Sequence, residues 1–563
     1  MGKKHYLLFL LVIMSIIIAA CADDSNVEEE TAEGDEGAAE DSGASGDLTI
    51  GMMDEMVTLD LHGSNDSASS QVRRNIYETL IYQNVDMELE PGLATEWEQV
   101  EDTVFNLKLR EGTTFHNGSE FTAEDVKATL DRVRDEAVAS QVLFLFEMIT
   151  EVEVVGDYEV NLHTEYPFAP LPSHLAHTTG GIMSKELIDS DYQAALDAAE
   201  VDMTADEYYE LREEGGSEYE EVAEQISEDL GGVIGSETDG TNHLQLESRS
   251  AGESVTLTKF DNFQGGERNF DNVTFRVIPE NGARMAELET GGIDVATDID
   301  SSSVDRIESG ESTELLEQES VRMSYLGFNT QQEPFDDLNV RQAISHAIDR
   351  DSIISGVYDD MGIAAEGPLA PDVWGYNEDL EGAEYDIERA RELLSETDVA
   401  DGFDTTIWVD NDPQIVDTAV YIQESLSELG INVTIEQFEW GAYLETLANG
   451  DHDMFILGWT TVTADADYGL YALYHQDNIG EPGNRSFYEN QELSDLLDAG
   501  RSESDEDARY DIYQKAQEIL GEEVPTAYLF HTNFALGVNS DNVSGVELDP
   551  TGGVRFDKVT FPE

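Results

Sequence analysis

The chain has 563 residues, 123 of them acidic and only 28 basic, which gives a formal net charge of −95 at pH 7. This balance excludes a nucleic-acid partner, because phosphate contacts require basic patches. It does not indicate a disordered acidic protein, since 40% of the residues are hydrophobic and their positions are periodic. Such a surface is typical of adaptation to concentrated salt, where the Debye length falls to ~3 Å at 1 M.

The first residues predict export. Lys3 and Lys4 precede an uncharged, mostly apolar run that ends at Ala20. This run is too short for a membrane span of ~20 apolar residues, and it fits a secretory signal. The string Ile18–Cys21 resembles a bacterial lipobox, in which the cysteine is acylated and becomes the mature N-terminus. We therefore predict a lipoprotein signal peptide over residues 1–20 and a lipid on Cys21.

The segment that follows predicts a solvated tether over residues 21–46. Residues 22–46 hold ten Asp and Glu and no Lys or Arg. Such a stretch cannot bury enough apolar surface to offset its chain entropy. The alternative, in which Cys21 is a core residue of an N-terminal helix, requires a buried continuation that this sequence does not offer. Cys21 is the only cysteine, so no internal disulfide is expected.

The body after the tether alternates between strands and helices and is long enough for two or more domains. Residues 48–50 and 105–109 alternate as strands, and Thr122 begins a helix with a capping-box partner at Asp125. Residues 186–230 are acidic and helical in pattern, which predicts an excursion on the surface. Further elements are predicted as a strand over 273–278, a helix over 281–290, a strand over 293–295 and a helix with one buried stripe over 340–348.

The clearest unit lies between residues 405 and 459. Strands over 405–409, 431–435 and 454–459 alternate with helices over 413–429 and 440–448, with Pro413 in the first turn and Gly430 past the end of one helix. This order implies parallel pairing through right-handed crossovers. Ligands of such sheets bind beyond the carboxyl ends of the strands. Trp459 ends the last strand, and the loop to Tyr468 carries Asp465 and Asp467 towards that edge.

Four groups of motifs carry a resemblance over residues 48–550. They are Phe105–Gly112 with Phe115–Gly118 and Phe121–Val126; Phe275–Pro279 with Ala283–Arg284 and Gly292–Asp294; Gly327–Thr330 with Pro334–Phe335, Val340–Ile344 and Ala347–Arg350; and Gly458–Trp459 with Asp465–Tyr468 and Asn484–Tyr488. Together they resemble the family 5 solute-binding proteins of ABC importers, which bind peptides, nickel complexes and related solutes. The last group is most similar to dipeptide- and glutathione-binding members.

The resemblance implies an α/β fold of the two-lobed periplasmic-binding-protein type (class II), a clamshell with a small extra α+β domain. Lobe I is expected over 47–88, 231–320 and 525–563, the extra domain over 89–230, and lobe II over 321–524. The solute would be enclosed between the lobes, and the closed form would deliver it to a membrane permease and its ATPases. The chain is expected to be a monomer that needs no cofactor and no metal.

The resemblance also supplies candidate ligand contacts. They are Trp459, Asp467, Asp465, Asn329, Tyr468 and Arg485. An aspartate would pair with a peptide ammonium, the indole would form an apolar wall, and the planar fork of Arg485 suits a carboxylate. One departure affects this set, because many peptide-binding members carry an aspartate where this chain has Val462. Either Asp465 or Asp467 takes over that role, or the ligand lacks a free α-ammonium there.

Two other functions were weighed against a short peptide as the ligand. A nickel chelate in the same scaffold has little support, because His174 and His177 lack a ligand cluster with metal spacing. A secreted hydrolase is a remote alternative, since there is no G-x-S-x-G elbow and no H-E-x-x-H motif. We therefore predict a protein that performs no chemistry and is anchored to the cell membrane on its extracytoplasmic face.

Overall fold

The structure is a computed structural model that describes residues 46–266, 268–480 and 483–562. The predicted signal peptide, Cys21 and the tether up to residue 45 lie outside these residues. In the described part of the chain, no helix combines the length and the apolar character that crossing a membrane requires.

The first large sheet has seven strands around a central parallel trio. Gly46–Met52 lies in the middle and runs parallel to both of its neighbours, Phe270–Val277 and Val295–Ala296. Leu48 and Ile50 are fully buried, as expected for the centre of a sheet that is covered on both faces. The spatial order of the strands is Thr313–Gln318, Phe534–Asn539, Val295–Ala296, Gly46–Met52, Phe270–Val277, Ser254–Lys259 and Leu244–Ser250.

The second large sheet has six strands and contains the unit predicted over 405–459. Asp404–Val409 pairs in parallel with strands on both sides, which confirms the crossover topology. Pro413 occupies the first turn of helix Pro413–Ser427, and Gly430 takes a φ of +77° just beyond the end of that helix. The spatial order is Gly362–Ala364, Thr526–Thr532, Arg322–Phe328, Met454–Thr460, Asp404–Val409 and Asn432–Gln437.

Helices cover both faces of the six-stranded sheet and give it two cores. One face packs against Leu338–His346, Arg350–Val357, Ile387–Leu394 and Pro413–Ser427. The other face packs against Trp440–Ala448, Ala466–Tyr474, Gln491–Ser502 and Glu506–Glu523. The predicted stripe is confirmed, because Val340, Ala343, Ile344, Ala347 and Ile348 are all buried.

A smaller antiparallel sheet forms a third unit with its own core. Its strands, in spatial order, are Ala94–Glu101, Val104–Leu109, Glu159–Thr164 and Ile149–Gly156. Helix Ala123–Val133 packs its buried face into the same core and begins with the predicted capping box of Thr122 and Asp125. Two large α/β sheets and a small α+β unit are the architecture that the sequence predicted.

Two segments differ from the expected domain limits. Helices Lys185–Ala198, Ala205–Glu214 and Ser217–Ile226 are not a loose surface excursion, because their buried side chains join the core of the seven-stranded sheet. Tyr192 and Tyr208 are fully buried there. Strand Thr526–Thr532, which we assigned to lobe I, pairs with Arg322–Phe328 in the six-stranded sheet. The chain returns to the seven-stranded sheet only at Phe534.

The remaining elements are short connections. They are helices Ser67–Arg73, Leu171–Leu175, Asn281–Glu289 and Val304–Glu308, and the two-stranded pairs Ile81–Gln83 with Leu89–Pro91 and Glu547–Leu548 with Val554–Arg555.

Candidate functional site

The carboxyl ends of the parallel strands from both large sheets open into one cavity of roughly 2600 Å³. Met52 and Thr297 line it from the seven-stranded sheet, and Asp410 and Trp459 line it from the six-stranded sheet. This is the edge where the crossover topology predicts a ligand. The cavity exceeds the ~300–1,000 Å³ of an ordinary small-molecule pocket, so a solute of several residues fits inside it.

An aromatic pair forms one wall of this cavity. The rings of Trp459 and Tyr468 lie 5.3 Å apart between centroids, and both line the cavity. The indole Nε1 of Trp459 is buried and has no hydrogen-bond partner in the described chain. Asn65 donates a 3.3 Å hydrogen bond to the Tyr468 hydroxyl, and burial raises the pKa of Tyr468 to about 12. The wall therefore offers an apolar surface and one free N–H donor.

Arg485 brings a buried cation to the same cavity. Its residue surface is only 7% exposed, yet its guanidinium group makes no hydrogen bond or ion pair with the described protein, and its Nε is buried without a partner. Burying an unpaired charge costs free energy unless a partner arrives. Among the described residues, Arg485 is thus a cation without an anionic partner at the cavity.

Asn329 does not line the cavity, and its side chain binds the backbone of neighbouring residues. It is 1% exposed, and its Nδ2 donates to the carbonyls of Gly450 and His452. The His452 ring in turn donates from Nε2 to the carbonyl of Arg485 at 2.8 Å. Because burial lowers the pKa of His452 to about 4, this ring stays neutral near pH 7. Asn329 therefore holds the backbone behind Arg485, and the structure places it away from the cavity where a ligand contact was expected.

Asp465 and Asp467 are occupied by arginines of the chain itself. The carboxylate of Asp465 pairs with both terminal nitrogens of Arg509, at 2.6 and 2.8 Å. Asp467 is 1% exposed and lies 3.1 Å from Nε of Arg501. Neither aspartate lines the cavity. The expectation that one of them meets a ligand ammonium is therefore revised, because both negative charges are neutralised away from the cavity.

Two charged residues of the cavity wall were missed by the sequence reasoning. Arg322 begins a strand that pairs with Met454–Thr460, and Asp410 directly follows strand Asp404–Val409. Both are half-buried and line the cavity. Asp410 could have been found, because it occupies the carboxyl end of a predicted strand. Arg322 could have been noticed as one of only 28 basic residues.

His174 and His177 are both held by hydrogen bonds within the protein. His174 bonds through Nδ1 to the carbonyl of Leu145, and His177 bonds to the hydroxyl of Thr179. Within residues 46–266, 268–480 and 483–562, no group of three or more His, Cys, Asp or Glu has the arrangement to hold a metal ion.

The chain is similar to several known proteins. A sequence model of the family described as bacterial extracellular solute-binding proteins, family 5 Middle, matches residues 88–481. The dipeptide-binding protein of Escherichia coli (strain K12) is 27% identical over 497 residues, covering 84% of this chain and 86% of that protein. The glutathione-binding protein GsiB of the same strain is 27% identical over 523 residues, covering 91% of this chain and 94% of that protein.

A solved structure supports the same relationship. The ABC transporter-associated periplasmic binding protein DppA from Helicobacter pylori, in complex with the peptide STSA, matches with a TM-score of 0.78 and 29% sequence identity. The match covers 94% of this chain and 100% of that chain. The similarity therefore extends over nearly the whole described body and includes both large sheets.

Proposed function

The chain belongs to family 5 of the bacterial extracellular solute-binding proteins, and from this premise we propose that it captures a short peptide outside the cell for an ABC importer. Members of this family are binding proteins that work with a membrane permease and its ATPase. In this proposal the chain binds the peptide, releases it intact and performs no chemistry.

The observation that carries the proposal is the side chain of Arg485, which is nearly buried at the cavity beside Trp459 and has no anionic partner among the described residues. A peptide carboxylate matches the planar fork of an arginine with two parallel hydrogen bonds. Because Arg485 is only 7% exposed, such a charged pair is stronger there than at the open surface. The names of the dipeptide- and glutathione-binding relatives agree with a ligand of this chemistry.

We propose that the peptide ammonium meets Asp410. Val462 stands where many peptide-binding members carry an aspartate, while Asp465 and Asp467 are paired to arginines. Burial raises the pKa of Asp410, and the nearby Arg322 opposes this effect. An ammonium beside the half-buried carboxylate would favour its charged form. Asp410 and Arg485 would then hold the two ends of a short peptide.

The domain limits that fit the sheets best are part of this proposal. Lobe I comprises 47–88, 185–320 and 533–563, lobe II comprises 321–532, and the extra domain comprises 89–184. A ligand that contacts both lobes stabilises their closed arrangement by its preference for that form. The closed form would be the one that the permease recognises.

The cellular setting follows from the sequence. We propose that a lipid on Cys21 anchors a monomer to the extracytoplasmic face of the cell membrane, with residues 21–46 as the tether. We also propose that the net charge of −95 adapts the protein to concentrated salt. A melting temperature that stays constant as potassium chloride rises from 0.15 to 2 M would contradict this adaptation.

Mass spectrometry tests the function. We would purify residues 22–563 without added solute, denature the protein and identify the molecule that it releases. The expected result is an intact di- to oligopeptide with a free carboxylate, and the Arg485→Gln variant should release much less of it. The matched control is Arg389→Gln, an exposed arginine on helix Ile387–Leu394 that does not line the cavity. Peptide cleavage products in place of an intact peptide would favour the hydrolase instead.

A further inference from the structure

The arginines of this chain divide sharply into partnered and unpartnered side chains. All 20 arginines lie in the described residues. Of these, 18 direct the guanidinium group to a carboxylate or a carbonyl of the protein. In the described chain, only Arg322 and Arg485 make no such hydrogen bond or ion pair. Both of them line the same cavity.

This pattern is unexpected in so acidic a protein. Carboxylates outnumber basic side chains by 123 to 28, so an arginine finds an acidic partner easily. Even the exposed Arg389 and Arg391 pair with glutamates on their own helix at 2.7 Å. Two unpaired cations that line one cavity therefore mark a position where the described residues supply no anionic partner.

Arg322 lies on a strand beside Trp459, in the same region as Arg485. It lies opposite Thr460 in the strand pair, and its guanidinium group packs directly over the backbone of Gly458, next to Trp459. The charges of Arg322 and Arg485 both oppose the burial that raises the pKa of the Tyr325 hydroxyl, so both act on the same small region. Asp410 is within electrostatic reach of Arg322 but forms no ion pair with it.

We infer that Arg322 is a specificity-determining cation, and that the solute carries two carboxylates, as in a short acidic peptide. One carboxylate is satisfied by a single arginine fork, so the terminal carboxylate at Arg485 leaves Arg322 without a partner. Two guanidinium groups that act on one region also repel each other unless two negative charges neutralise them. A second carboxylate, carried by an Asp or Glu side chain, meets both requirements. This inference rests on the proposed capture of a peptide.

The test compares peptides that differ only in one charge. Titration calorimetry would measure Ala-Glu against Ala-Gln and Glu-Ala against Gln-Ala, together with the corresponding tripeptides extended by one alanine. We expect the purified protein to bind the better acidic peptide at least tenfold more tightly than its amide. The Arg322→Gln variant should lose this preference, whereas Arg389→Gln should keep it.

The outcomes separate this inference from the proposed function. Equal affinity for acid and amide overturns the inference and leaves peptide capture intact; it would indicate that Arg322 pairs with Asp410 when the lobes close. A preference that survives in Arg322→Gln also overturns it. Binding of none of these peptides contradicts both. Because the unsubstituted protein already gives the acid-to-amide ratio, the test does not depend on the folding of a variant.

Discussion

At the scale of single residues, the charges around the cavity fall into two groups with different roles. Asp465 with Arg509 and Asp467 with Arg501 are buried pairs that lie behind the wall. Arg485, in contrast, is buried, lines the cavity and has no partner for its guanidinium group in the part of the chain that the structure describes. A buried pair holds elements together, while an unpaired buried charge raises the free energy until a ligand neutralises it.

The first prediction concerns Asp467, which we expect to be structural. Asp467→Asn leaves Arg501 buried without its carboxylate, and breaking such a pair costs about 3–5 kcal/mol of unfolding free energy. Chemical denaturation should show this loss, while calorimetry should show peptide affinity within about tenfold of the unsubstituted value. The matched control is Asp511→Asn, an exposed aspartate on helix Glu506–Glu523. A stable variant with abolished binding would return Asp467 to the ligand site.

The sequence predicted some residues of the cavity wall correctly. For others it could not predict the position relative to the cavity, and the reason is physical. Trp459 was predicted at the cavity because it ends a strand, and the strands and helices around that strand could be predicted from local sequence patterns. The ion pairs of Asp465 and Asp467 could not be predicted, because their cations come from positions 509 and 501, on helices that pack against the loop only after folding. No local pattern shows which distant arginine will meet which aspartate.

At the scale of elements, Arg485, which lies between helices Ala466–Tyr474 and Gln491–Ser502, is held by a chain of hydrogen bonds behind it. Asn329 holds the carbonyl of His452, and His452 holds the carbonyl of Arg485. The ring of His452 is enclosed by Trp408, Phe455 and Phe487 at centroid distances of 4.9–5.9 Å. The position of Arg485 is therefore coupled to the neutral state of one buried histidine.

The second prediction is a pH dependence that arises from His452. Burial lowers its pKa from 6.5 to about 4, against the raising effects of Asp453 and Asp451. Between pH 6.5 and 4 the unfolded chain binds a proton that the folded chain does not, so the folded state loses stability as the pH falls. The loss approaches about 3 kcal/mol at the lower end.

The variant His452→Gln isolates this contribution, because a glutamine amide can still donate to the carbonyl of Arg485. Denaturation of both proteins from pH 7 to pH 4 should show the stability difference between them shifting in favour of the variant. Parallel pH curves for the two proteins would mean that His452 does not titrate between folded and unfolded states.

Elements were predictable where local rules agreed with one another. In the unit over 405–459, alternation, Pro413 and Gly430 all indicated the observed strands and helices. The helices between 185 and 226 were recognised as helices, but their burial was not. Their acidic faces dominate the composition, whereas tyrosines such as Tyr192 and Tyr208 face a core supplied by distant strands. Long-range packing decided where these helices belong.

At the scale of the whole molecule, the three units meet beside the cavity. Tyr468 of the six-stranded side lies 5.9 Å from the ring of Phe144 and 6.0 Å from that of His177, both on the other side of the contact. Asn65 donates a hydrogen bond to the hydroxyl of the same tyrosine. The aromatic wall of the cavity therefore includes a tyrosine that also contacts the other two units.

A crystal structure of the protein with a bound dipeptide would most directly test the central claim that the peptide binds between the two large sheets. The account predicts that the peptide lies in the cavity between the two large sheets, beside Trp459, with its terminal carboxylate within hydrogen-bonding distance of the Arg485 guanidinium group. A peptide on the outer surface, or one in the cavity that leaves Arg485 without an anionic partner, would contradict it.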